Sequence, residues 1–235
     1  MRIVTAHTTH DCEVACEVFD RVWGMSGMVS HEVIIATVHA GGYASLAWVG
    51  DHVVGASWGF LGAGRTLHSH VTGVVASHNS VGIGEALKRH QWQWAREHSL
   101  EAITWTFDPL VRRNAYFNLI KLGAEVTEYH EDFYGTIDDG INRGEHTDRL
   151  MVRWQVAGCD GAQPTGAVVR MHHDTPSRDG WAIATPENIE ALRITDPDAA
   201  QAWRTRQRAE WRRAFSDEWK VAGLMADGGY AVVRA

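Results

Sequence analysis

One stretch, residues 71–124, constrains the fold of this 235-residue chain more than any other. Its apolar runs, turn residues and helical spacing predict two strands that alternate with two helices. They are a strand over residues 71–76, a helix over residues 85–98, a strand over residues 102–107 and a helix over residues 112–122. The turn before the first helix contains Gly82-Ile83-Gly84. Alternation of this kind predicts an α/β fold.

The glycine turn has the chemistry of an anion site. The start of a helix leaves backbone N–H groups without partners and carries a partial positive charge, and glycine lets a bulky anion approach the main chain. A dinucleotide-binding turn would have a third glycine where Leu87 stands. A P-loop would have Lys and then Ser or Thr where Glu85 and Ala86 follow Gly84. The simplest alternative is a pair of glycines that only begins the helix.

The stretch resembles the acyl-CoA-binding core of the GNAT N-acyltransferases, whose mark is Gln/Arg-x-x-Gly-x-Gly/Ala between a strand and a helix. Here the motif spans residues 79–84, and the second helix ends in Lys121-Leu122-Gly123. A subgroup of predicted GNAT enzymes with a C-terminal extension shares three further segments. They are Trp-Thr-Phe-Asp-Pro-Leu at residues 105–110, Arg-Asn-Ala-Tyr at residues 113–116 and Asp-Phe-Tyr-Gly at residues 132–135.

The resemblance implies a GNAT-like fold with a mixed central sheet flanked by helices, and acetyl-CoA or another acyl-CoA as co-substrate. In that family a bulge splays two parallel strands, the thioester arm fills the gap, and a strand N–H polarises its carbonyl. Gly73 within the strand suits a bulge or a close approach of ligand to backbone. The residues expected to bind the cofactor are Thr72, Gly73, Val74, Asn79, Ser80, Val81, Gly82, Ile83, Gly84, Glu85 and Asn114. Asn79 replaces the usual Gln or Arg, which weakens phosphate contact slightly.

The implied reaction transfers the acyl group to an amine, and we expect the amine of a small molecule such as an amino acid. The helical spacing of Val14, Val18 and Val22 predicts a first helix over residues 9–23, with Thr9 or Asp11 as its cap. The loop after this helix borders the acceptor in GNAT relatives, so Trp23, Met25 and Met28 are candidate lining residues, with core packing as the alternative. The alternative function is a non-catalytic sensor that binds CoA or a small effector. Leu119 favours the sensor, since many GNAT enzymes carry there a tyrosine that protonates the departing thiolate.

Four side chains are candidates for acid–base work: His70, Asp108, Tyr116 and Tyr134. A neutral imidazole such as that of His70 suits proton transfer. Asp108 lies at a strand end, where open α/β sheets bind ligands, although capping the next helix is its alternative role. Tyr116 is predicted to share a helix face with Leu119 at i, i+3, close to the place of the missing tyrosine.

His68 and His70 are predicted to lie on one face of their strand. A His-x-His pair can bind zinc. No third ligand stands at a familiar spacing, so a solvated or hydrogen-bonded pair is the favoured interpretation and we expect no metal.

Composition and charge argue against several classes of partner. The net charge of −7 disfavours a broad nucleic-acid-binding surface. No apolar run is long enough to span a membrane, and the first residues lack the regions of a signal peptide. Cys12, Cys16 and Cys159 are too few for a disulfide framework. We therefore expect a cytoplasmic protein with no nucleic-acid or membrane partner.

Residues 158–165 are rich in glycine and small polar residues and predict a boundary between a GNAT-like domain, 1–157, and a small α+β extension, 158–235. Short strands are predicted at residues 167–171 and 181–184, helix starts at Thr185-Pro186-Glu187 and Asp196-Pro197, and a hairpin near the end. The arginine-rich helix, residues 197–215, is interpreted as a solvated face, with an anionic ligand or a partner subunit as the alternative. The extension is too small to stand alone, so we expect it to dock on the core or on a second subunit in a homodimer.

Overall fold

The structure, a computed structural model, describes residues 1–78, 82–137, 139, 144–159, 180–216 and 219–234. The predicted strand at residues 167–171 and the expected cofactor ligands Asn79, Ser80 and Val81 lie outside these ranges. The chain forms two compact units: Met1–Trp105 with Gln155–Gln163, and Thr106–Trp154 with Pro164–Ala235.

The first unit is built on a mixed sheet. Its described elements are β1 (Arg2–Thr5), α1 (Thr9–Trp23), α2 (His31–His39), β2 (Tyr43–Val49), β3 (His52–Gly62), β4 (Thr66–Val74), a 3-10 turn (Ala76–His78), α3 (Ile83–Glu97) and β5 (Ala102–Phe107), which enters the second unit at Thr106. The strands lie in the order β1-β2-β3-β4-β5. Only β4 and β5 are parallel, and the other neighbours are antiparallel. This topology excludes the dinucleotide-binding alternative, which requires a mostly parallel sheet.

Helices cover both faces of this sheet. Leu46 of β2 packs in a cluster with α1 and α2, whereas Ala47 packs with Ile83 and Leu87 of α3. Because successive side chains of a strand point to opposite faces, α1 and α2 lie on one face and α3 lies on the other. The predicted mixed sheet flanked by helices is confirmed.

Helix α1 spans the predicted residues, but its N-cap differs from the expected Thr9 or Asp11. Thr8 caps the helix by accepting from the Asp11 N–H at 3.1 Å, and the Asp11 carboxylate accepts from the Thr8 N–H at 3.0 Å. This reciprocal capping box fixes the first turn. The sequence prediction also missed β1, whose four residues alternate between exposed and half-buried.

The second unit contains the remaining described elements. They are α4 (Arg112–Ala115), a π-helical segment (Tyr116–Lys121), β6 (Glu125–His130), β7 (Arg149–Gln155, its last residue in the first unit), β8 (Gly180–Ile183), α5 (Ile189–Thr195), α6 (Pro197–Ser216), β9 (Trp219–Leu224) and β10 (Tyr230–Arg234). Strands β6 and β7 are antiparallel. The order β8-β10-β9 forms a small antiparallel sheet, which confirms the predicted C-terminal hairpin.

Helix α6 supplies the centre of this unit. The buried ring of Trp211 lies edge-on to Tyr230 of β10 at 4.9 Å between centroids and stacks on Tyr129 of β6 at 6.1 Å. The preceding helix, α5, begins at Ile189 rather than in the predicted Thr185-Pro186-Glu187 segment, because the Asn188 side chain caps it by accepting from the Ala191 N–H. Residues after 180 therefore pack directly on residues 106–154.

Residues 112–122 do not form the single α-helix that the sequence predicted. After α4 the chain widens into the π-helical segment. Residues i and i+3 do not share a face in that wider turn, and Tyr116 is 48% exposed while Leu119 is 5% exposed. The prediction that Tyr116 lies on the face of Leu119 is wrong.

Candidate functional site

The parallel pairing of β4 with β5 stops early. Three pairs form, from Thr66 with Ala102 to His68 with Thr104, whereas β4 continues to Val74. The second half of β4 therefore has β3 as a neighbour along one edge and leaves its other edge open toward β5. A splayed pair of parallel strands is the feature that the resemblance predicted.

A bulge in β4 lies at the point of separation. Trp58 of β3 pairs with Val71, and Phe60 pairs with His68, so that Ser69 and His70 together oppose the single residue Gly59. Two residues against one is a β-bulge, which bends the strand and increases its twist. The sequence placed the bulge near Gly73, and the structure places it at Ser69 and His70.

The main chain of Thr72 and Val74 faces the open edge. The Val75 N–H donates to the Val54 carbonyl of β3 at 2.9 Å. In an antiparallel ladder, alternate residues direct their N–H and C=O groups to the same neighbour. Gly73 therefore faces β3, and the N–H groups of Thr72 and Val74 point away from it. Of the three predicted positions, these two have the orientation that a carbonyl in the opening requires.

Gly73 has a packing role. A Cβ atom at Gly73 would lie 2.7 Å from the ring of Trp23 and 3.2 Å from Val22, both on α1. The close approach that the sequence predicted is therefore made by a tryptophan ring, on the face covered by α1. Any larger residue at Gly73 would require the Trp23 ring to shift.

The loop after α1 is held by Asp20. Its carboxylate accepts from the N–H groups of Gly27 at 3.1 Å and Met28 at 3.2 Å. Met25 in the same loop is 37% exposed, whereas Met28 packs partly on the core beneath α1 and α2. Of the predicted acceptor-lining residues, Trp23 and Met28 thus contribute to packing, and Met25 presents its side chain to solvent.

Helix α3 starts directly at the glycine turn. Gly82 occupies its N-cap position with φ of 80°, in the left-handed region that glycine adopts without strain, and no side chain of the described residues caps the helix. Gly84 leaves space, since a Cβ atom there would contact only Val74 at 3.9 Å. Glu85 is held by Arg89 one turn later, at 2.9 Å. The start of α3 thus offers main-chain donors and little side-chain bulk, as an anion site requires.

His70 lies in a cluster of rings on the surface of β3 and β4. Its centroid is 5.1 Å from that of Trp58, 5.8 Å from that of Phe60 and 6.1 Å from that of His68. Burial among these rings lowers the pKa of His70. Burial also lowers the pKa of His68, and the nearby charges of His70 and Lys88 add to this effect and bring it to about 4. Both imidazoles are therefore neutral at pH 7. Within the described ranges, no group of three or more His, Cys, Asp or Glu side chains is placed to hold a metal ion.

Asp108 is buried in the second unit among arginines. Arg204 binds both of its carboxylate oxygens, at 2.8 and 2.7 Å, and Arg193 adds a contact at 2.6 Å. The Leu110 N–H donates to the same carboxylate at 2.9 Å, within the turn before α4. Asp108 does not cap that helix, because Val111 occupies its N-cap position. Burial alone would raise the pKa of Asp108, but the two arginines hold it well below its usual range. A carboxylate in this state does not exchange protons near pH 7, which argues against acid–base work.

The arginines of α6 are mostly paired with carboxylates. Arg208 binds Asp148 through two nitrogens, at 3.0 and 2.6 Å, and Arg212 binds Glu131. Together with Arg204 they recur every four residues on one side of the helix. The interpretation of this charge run as a solvated face is wrong for Arg204 and Arg208, which are largely buried against carboxylates of residues 106–154, whereas Arg212 remains exposed beside Glu131.

The remaining predicted side chains also belong to the second unit. The Tyr134 hydroxyl lies 3.2 Å from the Thr106 hydroxyl, and the Arg149 guanidinium lies over the Tyr134 ring at 5.6 Å. Asn114 is half-buried in α4. The first unit thus contains His70 and the expected cofactor-binding positions that the structure describes on β4 and at the start of α3. The second unit contains Asp108, Asn114, Tyr116 and Tyr134.

Comparison with solved structures identifies the fold. A GNAT-family acetyltransferase from Streptococcus pneumoniae matches with a TM-score of 0.53 and 11% identity, over 66% of this chain and 100% of that one. An N-acetyltransferase from Staphylococcus aureus matches with a TM-score of 0.54 and 11% identity, over 66% and 98%. A ribosomal-protein-alanine N-acetyltransferase from Brucella melitensis matches with a TM-score of 0.52 and 17% identity, over 66% and 99%. The chain therefore has the fold of the GNAT acetyltransferases.

Sequence comparisons add nothing to this structural likeness. No protein-family profile matches the chain, and no curated protein matches it either. Across the described ranges, the longest helices are too polar or too short to cross a bilayer.

Proposed function

We propose that this protein is an acyl-CoA-dependent N-acyltransferase. The observation that carries the proposal is the opening beside β4, which separates from β5 after His68 and then leads, through the glycine turn, to the uncapped start of α3. In a GNAT fold this arrangement offers one strand edge to a thioester arm and one helix start to a pyrophosphate.

The open edge would act on the thioester carbonyl. The N–H group of Thr72 or Val74 would donate to the oxygen as negative charge develops in the tetrahedral intermediate, a fixed dipole of the kind that supplies much of enzymatic rate enhancement. The amine must be neutral to attack. His70, neutral at pH 7 and exposed beside the bulge, is the proposed base that takes its proton, either directly or through water.

The acceptor is proposed to be the amine of a small molecule such as an amino acid. The Brucella melitensis neighbour is an N-acetyltransferase of a ribosomal-protein alanine, so a peptide N-terminus is the competing class. The test is turnover of acetyl-CoA against a panel of both, with CoA release and product mass measured together. Acylation of amino acids or related amines supports the small-molecule acceptor, whereas acylation of peptides alone replaces it with a protein acceptor.

A non-catalytic module that binds CoA as a sensor is the second candidate. Leu119, buried and apolar, favours it because no proton donor occupies that position. The sensor predicts saturable CoA binding in a thermal-shift titration without release of CoA from acetyl-CoA under any acceptor. Turnover by the purified protein eliminates this alternative.

The C-terminal extension is proposed to be structural and not a separately tethered domain. Its residues from 180 onward pack on residues 106–154, as the Tyr230 hydroxyl does by donating to the Pro109 carbonyl at 2.8 Å. A homodimer and a cytoplasmic location remain part of the proposal. Sedimentation at several protein concentrations tests the first, and fractionation of the source cells tests the second.

A further inference from the structure

A buried lysine lies beneath the β4 bulge. Lys88 of α3 is 4% exposed, and its ammonium donates to the Ser69 hydroxyl at 2.7 Å and to the Gln91 side-chain oxygen at 3.3 Å. The same ammonium lies 3.8 Å from the centroid of the Trp105 ring in β5. Lys88 thus contacts both strands of the parallel pair, at the place where they part.

Hydrogen bonds continue from Lys88 to the far part of the open edge. Gln91 donates to the Ser57 hydroxyl of β3 at 3.4 Å, and Ser57 lies 2.7 Å from the Thr72 hydroxyl. Ser57 and Gln91 are fully buried. The chain from Lys88 therefore reaches Ser69 in the bulge and, through two polar side chains, Thr72, whose N–H faces the opening.

Lys88 is an unfavourable choice for packing alone. Among the described residues no carboxylate pairs with its ammonium, and the nearby Glu85 is held by Arg89. A buried ammonium without a counter-charge is costly, and an apolar residue of similar length would be more stable there. Burial lowers the pKa of Lys88 to about 7. Perturbed buried groups of this kind concentrate at functional sites.

We propose that Lys88 is a positioning residue: through Ser69 and the Gln91–Ser57–Thr72 chain it holds the bulge and the open edge of β4. The importance of this for acyl transfer rests on the proposed function. Of the titratable groups on the neighbouring strand β4, His68 is the one whose pKa Lys88 lowers, after burial and His70. His70 adjoins Ser69 in the bulge, so a change at Lys88 reaches the proposed base through one residue of main chain.

The test compares Lys88→Met with Ser69→Ala and with the double variant. Methionine keeps the apolar length of lysine and removes the donor. Lys220→Met on the exposed part of β9 is the matched control. We expect kcat to fall about 10- to 100-fold in Lys88→Met, the scale of a small misplacement of reacting groups, with CoA affinity within about twofold and the pH dependence of kcat changed. The double variant should lose little more activity than Lys88→Met alone, because the two substitutions break the same hydrogen bond, from the Lys88 ammonium to the Ser69 hydroxyl.

Two measurements that need no turnover separate the proposal from the proposed function. The chain has only three lysines, Lys88, Lys121 and Lys220, so carbon NMR of labelled lysine should show one side chain that titrates near pH 7 and disappears in Lys88→Met. In that variant the His68 ring should titrate at higher pH, and the backbone amides of Ser69 and Thr72 should shift. Wild-type protein that shows these signals but turns over no acyl-CoA would refute the enzyme and leave the positioning role intact. Unchanged His68 titration and unchanged Ser69 and Thr72 amides in a folded Lys88→Met variant would overturn the positioning role.

Discussion

Arg204 of α6 donates to both carboxylate oxygens of Asp108, at 2.8 and 2.7 Å. Asp108 is the first residue after β5. The pair is almost fully buried, with Asp108 at 7% and Arg204 at 1% exposure. A residue that the sequence offered as an acid–base candidate is thus an anchor, and the arginine-rich helix of the extension is its partner. The end of β5 depends on residues that follow it by almost a hundred positions.

Removal of Arg204 should be strongly destabilising. Arg204→Met removes the arginine that binds both carboxylate oxygens of the buried Asp108, and breaking a buried ion pair on one side costs about 3–5 kcal/mol. Urea unfolding measures the loss. Arg206→Met on the exposed side of the same helix is the control and should lie within about 0.5 kcal/mol of wild type. Equal stability of the two variants would show that the Asp108 cluster does not stabilise the fold.

A chain that ends at Ala157 should aggregate or lose most of its stability. Truncation removes both arginines, Arg193 and Arg204, that bind Asp108. It also exposes the Tyr129 ring of β6, on which Trp211 of the extension stacks. Light scattering and thermal unfolding of the truncated protein give the answer. A soluble monomer with the melting temperature of the full chain would mean that the extension is dispensable for folding.

Substitution of Gly82 should separate folding from CoA binding. Gly82→Asn is expected to fold and to retain CoA, since asparagine tolerates the left-handed region better than other side chains. Gly82→Trp meets no described atom within 4 Å of its Cβ position, but φ of 80° strains any side chain there. We therefore expect it to fold with reduced stability, and its ring would stand over the start of α3 and block a phosphate. Calorimetric titration with CoA measures both. Wild-type CoA affinity in a folded Gly82→Trp variant would remove the glycine turn from the binding site.

Tyr116→Phe tests whether proton donation has moved away from the position of Leu119. Phenylalanine preserves what packing the half-exposed tyrosine makes, so only the hydroxyl is lost. If Tyr116 protonates the departing thiolate, kcat should fall by about 10²- to 10⁴-fold, the usual range of general acid–base help, at constant CoA affinity. Wild-type kcat across the full pH range would exclude Tyr116, and Tyr134→Phe would then be the variant to examine.

The stability of wild type relative to Lys88→Met should rise with pH. Burial lowers the pKa of Lys88 from 10.5 to about 7 in the folded protein, so between these values the unfolded chain binds more protons than the folded one. The free energy of unfolding of wild type therefore increases with pH in this range. Lys88→Met lacks this contribution, because methionine binds no proton. Denaturant unfolding of both proteins at pH 6.5 and pH 9 measures the difference. A difference that does not change with pH would show that Lys88 keeps its ordinary pKa.

Local signals made much of the first unit predictable. The helical spacing of Val14, Val18 and Val22 placed α1 at its observed residues, and the glycine turn placed the start of α3 within two residues. The bulge was expected from the family resemblance and was found a few residues earlier, because nothing local distinguishes Ser69 and His70 from other strand residues. Only the pairing with β3 shows the extra residue.

The missed features depend on partners that are distant in sequence. Lys88 appears in the sequence as an ordinary helix residue, and only the contacts with Ser69 and Trp105 show that it is buried. In the sequence, the arginines of α6 cannot be distinguished from a solvated run of charges, because their carboxylate partners lie 60 to 96 positions away. The π-helical widening after Ala115 likewise has no local signature and separates Tyr116 from Leu119.

The decisive measurement for acyl transfer at the edge of β4 is a crystal structure of the protein with CoA and an amine acceptor. We expect the pyrophosphate on the N–H groups at the start of α3 and the sulfur beside the open edge of β4, with the acceptor amine within reach of His70. The thioester carbonyl position should lie at hydrogen-bond distance from the N–H of Thr72 or Val74. CoA bound elsewhere, with the edge of β4 and the start of α3 empty, would contradict the proposed site.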